Sequence, residues 1–295
     1  MAASVNVDIA GRLEEVARIL SEQGANRFRV QAYRRAAETV RFLPRPVSEL
    51  FKEQGLEGLE KLHGVGASIA RSIADILAHG KLAMLERLRG ESDPIHLLRS
   101  VPGIGRSLAW KLHEDLDIET LQDLETAAHD GRLETVAGLG AKRLAGIRDS
   151  LATRLGRLRR PANTSPVPEE PTVAELLEVD EEYRYAAPAD KLKKIAPRRF
   201  NPAGEAWLPV LHTTRGGRHC TALFSNTARA HQFQKTRDWV VLYYDAGQGE
   251  RQCTVITADF GPLRGKRIVR GREAECLDYY HQRRQADGGL LRKAG

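Results

Sequence analysis

Leu62-His63-Gly64-Val65-Gly66, Val101-Pro102-Gly103-Ile104-Gly105 and Val136-Ala137-Gly138-Leu139-Gly140 write one pattern three times. Each has an aliphatic residue, one variable position, then Gly-aliphatic-Gly, and the copies lie 39 and 35 residues apart. Each opens a stretch of helical periodicity: Ile69, Ile73 and Leu77 after the first, Leu108 and Leu112 after the second, Leu144, Ile147 and Leu151 after the third. Apolar residues three and four apart form one helix face. Two glycines suit a tight hairpin whose backbone takes unusual angles and approaches something closely. The third copy is irregular, because Arg143 stands in the slot where the others have Ile69 and Leu108, and its first helical leucine comes one residue later.

A glycine-rich turn feeding a helix N-terminus presents unpaired N–H groups and the positive end of the helix dipole, which together hold an anion. This is the helix-hairpin-helix signature, and the phosphate backbone of DNA is the anion it usually meets. Contacts through main-chain N–H groups carry no base information, so such binding is largely independent of sequence. The plainer reading is a tight turn between helices with glycine serving geometry alone, and three copies weigh against it. The candidate contacts are Gly64, Gly66 and Ser68; Gly103, Gly105, Arg106 and Ser107; and Gly138, Gly140 and Lys142.

At 295 residues there is room for two domains with their own cores. The net charge is +7, distributed as +3 over residues 1–160, −7 over 161–190 and +11 over 191–295. A basic surplus suits a polyanionic partner. The cysteines Cys220, Cys253 and Cys276 are odd in number and far apart, which favours a reduced intracellular protein. No apolar run has membrane length and the N-terminus shows no signal peptide, so a cytoplasmic protein with no membrane partner is expected.

Ahead of the first hairpin, Ile9, Leu13, Val16 and Leu20 recur at helical spacing, with Asn6 or Asp8 as caps and Gly24 as the stop. A second helix over about residues 27–42 is dense in arginine and carries Tyr33 in its midst. Cations beside an aromatic suit a phosphate and an unstacked nucleotide, which makes Arg29, Tyr33 and Arg34 candidates. A solvated helix face with Tyr33 packed inside is the competing reading.

Asn26 through Ala37, Leu62 through Leu82, residues 101–124 with Leu121-Gln122-Asp123-Leu124, and Gly131-Arg132-Leu133 together resemble the N-terminal half of the X-family DNA polymerases. The resemblance implies a lyase-like region over about 5–90 and a fingers-like region over about 91–158. It also implies a monovalent cation, Na+ or K+, at main-chain carbonyls of Leu62, Val65, Val101 and Ile104, with no cofactor required. Two departures bear on activity. A nucleotidyltransferase palm needs a Gly-Ser turn and an Asp-x-Asp strand to clamp two metal ions. There is no Gly-Ser dipeptide, and the one Asp-x-Asp, Asp115-Leu116-Asp117, follows the second hairpin helix. Ser72 stands where the resemblance implies the Schiff-base lysine, and a hydroxyl cannot form an imine.

Residues 161–190 read as a Pro/Ser/Asn-rich linker followed by an acidic helix, with Thr172 and Glu175 as a capping box. Beyond residue 190 short strands are expected at 207–211, 220–224, 239–244, 252–257 and 267–269, in a five-stranded sheet with Pro209 marking an edge. A helix is expected over 226–234, capped by Ser225 or Asn226. His212, His219, Cys220 and His231 match no usual zinc spacing. Arg215, Arg218, Arg237, Arg264, Lys266, Arg267 and Arg270 suggest a second nucleic-acid surface.

The expectation is a multi-domain protein: an all-α helix-hairpin-helix N-terminal domain over 1–160 and a small, basic α+β domain of unrecognised family over 191–295. It is read as a DNA-binding protein without catalytic residues, acting at gaps or ends in repair. The rivals are an abasic-site lyase using Lys61 or Lys81, and an adaptor that binds a protein partner through the acidic helix or the C-terminal domain.

Overall fold

A computed structural model describes residues 2–91, 94–154, 170–245 and 250–291 of the chain; the Pro/Ser/Asn-rich stretch 161–169 lies outside the described residues. Three apolar cores follow one another along the sequence.

The first core is built by α1 (Ala2–Glu22), α2 (Arg27–Arg41), α3 (Val47–Glu60), α4 (Ala67–His79) and α5 (Ala83–Arg89). Ile9, Leu13, Val16 and Leu20 bury one stripe of α1 against Val30, Tyr33, Ala36, Ala37 and Val40 of α2. Asn26 caps α2 by accepting the Phe28 N–H at 2.8 Å. Asn6 does not cap its own helix, which begins at Ala2. Its Oδ1 accepts the N–H of Val47 at 2.8 Å and its Nδ2 donates to the Arg45 carbonyl at 2.9 Å, so it caps α3 across 41 residues. Local sequence identifies the capping chemistry but not which helix end comes near. Gly55, at φ +62°, kinks α3.

The second core belongs to α6 (Pro94–Arg99), α7 (Arg106–Leu116), α8 (Leu121–His129), a 3-10 turn at Arg132–Thr135, and α9 (Ala141–Arg154). Leu98, Leu112, Ile118, Leu124, Leu133 and Ile147 are fully buried within it.

The third core combines α10 (Val173–Ala186), β1 (Lys193–Ile195), β2 (Leu208–Arg215), β3 (Arg218–Phe224), α11 (Ala228–Gln232), β4 (Val240–Asp245), β5 (Glu250–Thr257), β6 (Arg267–Val269) and α12 (Glu273–Leu291). The strands form an antiparallel meander in sequence order. The sheet has six strands where five are expected, because β1, with two lysines in three residues, carries no strand signal. Pro209 is not at an edge, since β1 pairs outside β2 with Lys194 opposite Pro209. The missing proline N–H is accommodated on the other side. The Tyr183 hydroxyl enters between β2 and β3, donating to the Pro209 carbonyl and accepting the Phe224 N–H, both at 2.9 Å.

One face of the sheet carries the row Leu211, Ala222, Leu242 and Cys253 and packs under α10 and α12. The adjacent row His212, Thr221, Tyr243 and Gln252 points the other way. That second face meets the helical half: His212 bonds Gln23, just past the end of α1, and Tyr243 lies under Arg87 of α5. Gly90 must be glycine, because its φ is +78° and a Cβ there would come within 2.7 Å of the Ala196 carbonyl oxygen.

The acidic helix is part of this third core. Thr172 and Glu175 form the expected capping box on α10. Asp180 then holds Arg267 (2.7 Å), Glu182 holds Arg215 (2.5 Å) and Glu175 holds Arg218 (3.1 Å). Burial pushes the Asp180 carboxyl up, and the Arg267 guanidinium opposes the shift.

Candidate nucleic-acid interface

Each Gly-aliphatic-Gly segment closes a four-residue turn. The N–H of Val65, Ile104 and Leu139 donates to the carbonyl of Leu62, Val101 and Val136, at 3.1, 3.0 and 3.2 Å. The first glycine of each pair has positive φ: +73° at Gly64, +89° at Gly103 and +92° at Gly138. Only glycine takes that third turn position without strain, and Pro102 presets the second position of its turn.

The second glycine has a different reason. Gly66 (φ −89°, ψ 174°) and Gly105 (φ −83°, ψ 175°) are in extended backbone open to any residue. A Cβ built on Gly66, Gly105 or Gly140 would meet nothing within 4 Å. All three are exposed. Nothing inside the described chain therefore demands glycine there. The helices they open, α4, α7 and α9, have no acidic residue in the first turn, and Gly66 and Gly105 supply no side-chain cap. The opening N–H groups of these helices are left for an outside acceptor. Arg106, Ser107 and Lys142 flank them and are exposed; Ser68 is half-buried.

The irregular third copy resolves locally. Arg143 is exposed and donates from its guanidinium to the Gly138 carbonyl at 2.9 Å, so it braces its own turn. Its stem and Ile147 lie 3.5 and 3.8 Å from the Cβ position of Gly103, which packs the third hairpin helix against the second turn. The first turn is tied down by Thr39, whose hydroxyl donates to the His63 carbonyl at 2.8 Å.

Arg29 and Tyr33 are not part of this exposed set. Tyr33 is buried, with its hydroxyl on the Met84 sulfur at 3.6 Å, and burial pushes its pKa up. The Arg29 side chain is 10% exposed and lies 3.9 Å from Glu250 of β5. Glu250 is gripped by Arg87 through two bonds of 2.7 and 2.6 Å, and Arg87 stacks on Tyr243 at 3.7 Å. The arginine cluster of the helical half thus already holds an anion, supplied by the sheet. This corrects the expectation that Arg29 and Tyr33 receive a phosphate in this arrangement: their pocket is filled and roofed. Arg34, one residue past Tyr33, faces a separate surface depression shared with Glu14, Arg18, Glu38 and Arg41, where the charge is mixed.

The exchange is reciprocal. Glu119, between α7 and α8, accepts the Ala228 N–H at 2.7 Å and pairs with Arg199. Its carboxylate thus sits at the strand-to-helix turn Ser225-Asn226-Thr227, on the opening N–H of α11. The cap of α11 is Thr227, which accepts the Ala230 N–H at 3.2 Å, and not Ser225 or Asn226.

Of the basic residues expected to form a second surface, Arg215, Arg218 and Arg267 are engaged by α10, while Arg237 and Arg264 are exposed. His212 is bridged by Thr221 at 3.0 Å and Gln23 at 2.8 Å, and burial lowers its pKa to about 3. Among the described residues no three His, Cys, Asp or Glu side chains are grouped to hold a metal ion, and no helix is long and apolar enough to cross a membrane. Ser72 is buried and donates to the Ser68 carbonyl at 3.1 Å. Lys61 is exposed, and Lys81 is exposed and paired with Glu86 at 3.1 Å. Asp117 ends α7 at φ +51°.

Two family models match the chain: one described as a helix-hairpin-helix domain, over residues 4–82, and one as a SAM-like helix-hairpin-helix tandem, over residues 95–153. The DNA polymerase/3'-5' exonuclease PolX of Bacillus subtilis (strain 168) is 29% identical over 136 residues, which is 46% of this chain and 23% of that relative. The chain therefore spans less than a quarter of the relative's length. Its helical half is a succession of helix-hairpin-helix domains similar to the X-family DNA polymerases.

Proposed function

We propose that this protein binds DNA by its phosphate backbone, largely without regard to sequence, through the Gly66, Gly105 and Gly140 hairpins. One observation carries the reading. Three exposed helix starts each place glycine where the chain's own packing and backbone angles permit any residue, beside amide groups with no side-chain or acidic partner in the first turn. An approaching phosphate explains the absent Cβ, and Arg106, Ser107 and Lys142 supply charge and hydroxyl around it. The similarity to a DNA polymerase supports the polyanion being DNA, and a repair setting at gaps or ends follows by that likeness. A monovalent cation at the Leu62, Val65, Val101 and Ile104 carbonyls fits the hard oxygen donors of these turns and would stiffen them against the phosphate.

The role we propose is non-catalytic. Imine chemistry needs an uncharged amine, reached by burial or by crowding with cations. Lys61 and Lys81 are exposed, and Lys81 has a carboxylate partner. Asp117 terminates a helix and does not line a strand pair. The acidic helix is occupied by the chain's own arginines, which weakens the adaptor reading.

The test is fluorescence anisotropy on gapped, nicked, single-stranded and plain duplex DNA across a salt series. Affinity for duplex should fall steeply with salt and hardly vary with sequence. Absence of binding at low ionic strength would refute the proposal. Borohydride trapping on 5′-deoxyribose-phosphate DNA should give no adduct above background; robust trapping lost on changing Lys61 or Lys81 would favour a lyase.

A further inference from the structure

On the C-terminal domain, four side chains from three segments form a ladder that none of the three cores requires. Arg229 and Phe233 lie one helical turn apart at α11, with the guanidinium 5.9 Å from the ring centroid. The chain then doubles back: Lys235 and Trp239 donate their N–H groups to the carbonyls of Ala230 (2.8 Å) and Lys235 (2.9 Å), with Gln234 at φ +55°. This returns Trp239 beside Phe233, with ring centroids 6.5 Å apart and tilted by 40°. Arg270, held after β6 by its N–H bond to the Thr254 carbonyl at 2.9 Å, places its guanidinium 5.6 Å from the Trp239 ring. The order is cation, ring, ring, cation.

Phe233 is 54% exposed, although folding normally hides such a ring. The exposed Arg237 stands in the turn between the two rings in sequence. Of the nearby carboxylates, Asp259 pairs with Lys235 (3.2 Å) and Asp238 with Arg267 (2.8 Å), while Asp123 of α8 lies 3.5 Å from Arg229 and partly offsets the charge at that end of the ladder. One exposed ring and one half-buried ring, flanked by guanidiniums, have the composition of a stacking platform. The rings take bases of any identity and the arginines take the phosphates between them. A duplex keeps its bases stacked and offers only phosphates. We infer that the Arg229–Phe233–Trp239–Arg270 ladder binds single-stranded DNA, as a site separate from the hairpins.

The experiment measures binding of a labelled short oligodeoxythymidylate and of a labelled duplex by the full chain, with folding monitored by circular dichroism and self-association by sedimentation. Phe233→Ala should weaken oligonucleotide binding by about five- to a hundredfold, the range for one stacked base, and leave duplex binding unchanged. Phe233→Leu, which keeps apolar bulk without a ring face, should lose binding comparably, and Phe233→Trp should retain it. Replacing Gly103 and Gly105 should show the opposite pattern, so failure of the hairpin reading and failure of this one are distinguishable. The inference is overturned if the native chain does not bind the oligonucleotide or if folded Phe233→Ala binds it as tightly as native. It is equally overturned if Phe233→Leu keeps full affinity, or if the Phe233 variants instead abolish a dimer, which would assign the patch to a second copy.

Discussion

The hairpin turns and the Arg29–Arg87 pocket are both places where the helical half can hold an anion, and the structure treats them oppositely. The hairpins present main-chain N–H groups on exposed glycines, with no Cβ and no carboxylate in the way. The pocket gathers two guanidiniums and is closed by Glu250 of the chain's own sheet. A backbone site on a convex turn is hard to fill from within, because no side chain lies opposite it. A side-chain site between two domains is easily filled, since any strand packed there can supply a carboxylate. Positive residues in a sequence therefore say that an anion is wanted, and not where it comes from.

The largest effect should come from emptying the filled site. Glu250→Ala strands Arg87, whose side chain is 7% exposed, without its anion. It should cost about 3–5 kcal/mol by chemical denaturation, and replacing Arg87 as well (Arg87→Met) should recover part of that loss. A neutral Glu250→Ala would mean the pocket is not the joint between the halves.

Next comes acid. The folded pKa of His212 is about 3, below its ordinary 6.5, so the neutral ring belongs to the folded state. Its contribution is fully present above pH 6.5 and is lost progressively as pH falls toward 3. At pH 5 the loss should be about 2 kcal/mol. Melting temperature against pH should show this drop, and His212→Gln should flatten it. An unchanged profile in that variant would place the acid sensitivity elsewhere.

Breaking the open site should be gentler on the fold and harsher on binding. Gly103 and Gly105 replaced together by bulky residues should weaken duplex affinity by about tenfold, roughly 1.4 kcal/mol at one hairpin of three. Gly105→Ala alone sharpens the contrast. With ordinary φ and open space it should leave stability unchanged or raise it by up to about 1 kcal/mol, and it should still weaken binding. Normal binding by that folded variant would make the glycine structural.

The smallest effect is expected at Arg34, which shares its depression with Glu14 and Glu38. Arg34→Ala should change duplex affinity by less than about twofold, read in the same titration.

Legibility follows the range of the interactions. The three turns, the helix faces after them and the capping box at Thr172 are set by residues within a few positions of one another, and each is readable from spacing. Sequence and structure part where the partner is distant. Asn6 caps a helix 41 residues on, and Pro209 sits inside the sheet because Tyr183, 26 residues earlier, fills the gap. Arg87 had one local sign, a charge among the buried Met84, Leu85 and Leu88, but nothing nearby names Glu250, 163 residues later. By itself the sequence determined the helical hairpins, their paired glycines and the presence of an acidic helix before basic strands. Tertiary structure decided which of those charges face each other and which face water. Charge is a property of a residue, whereas its neutralisation depends on which carboxylate the fold brings within about 4 Å.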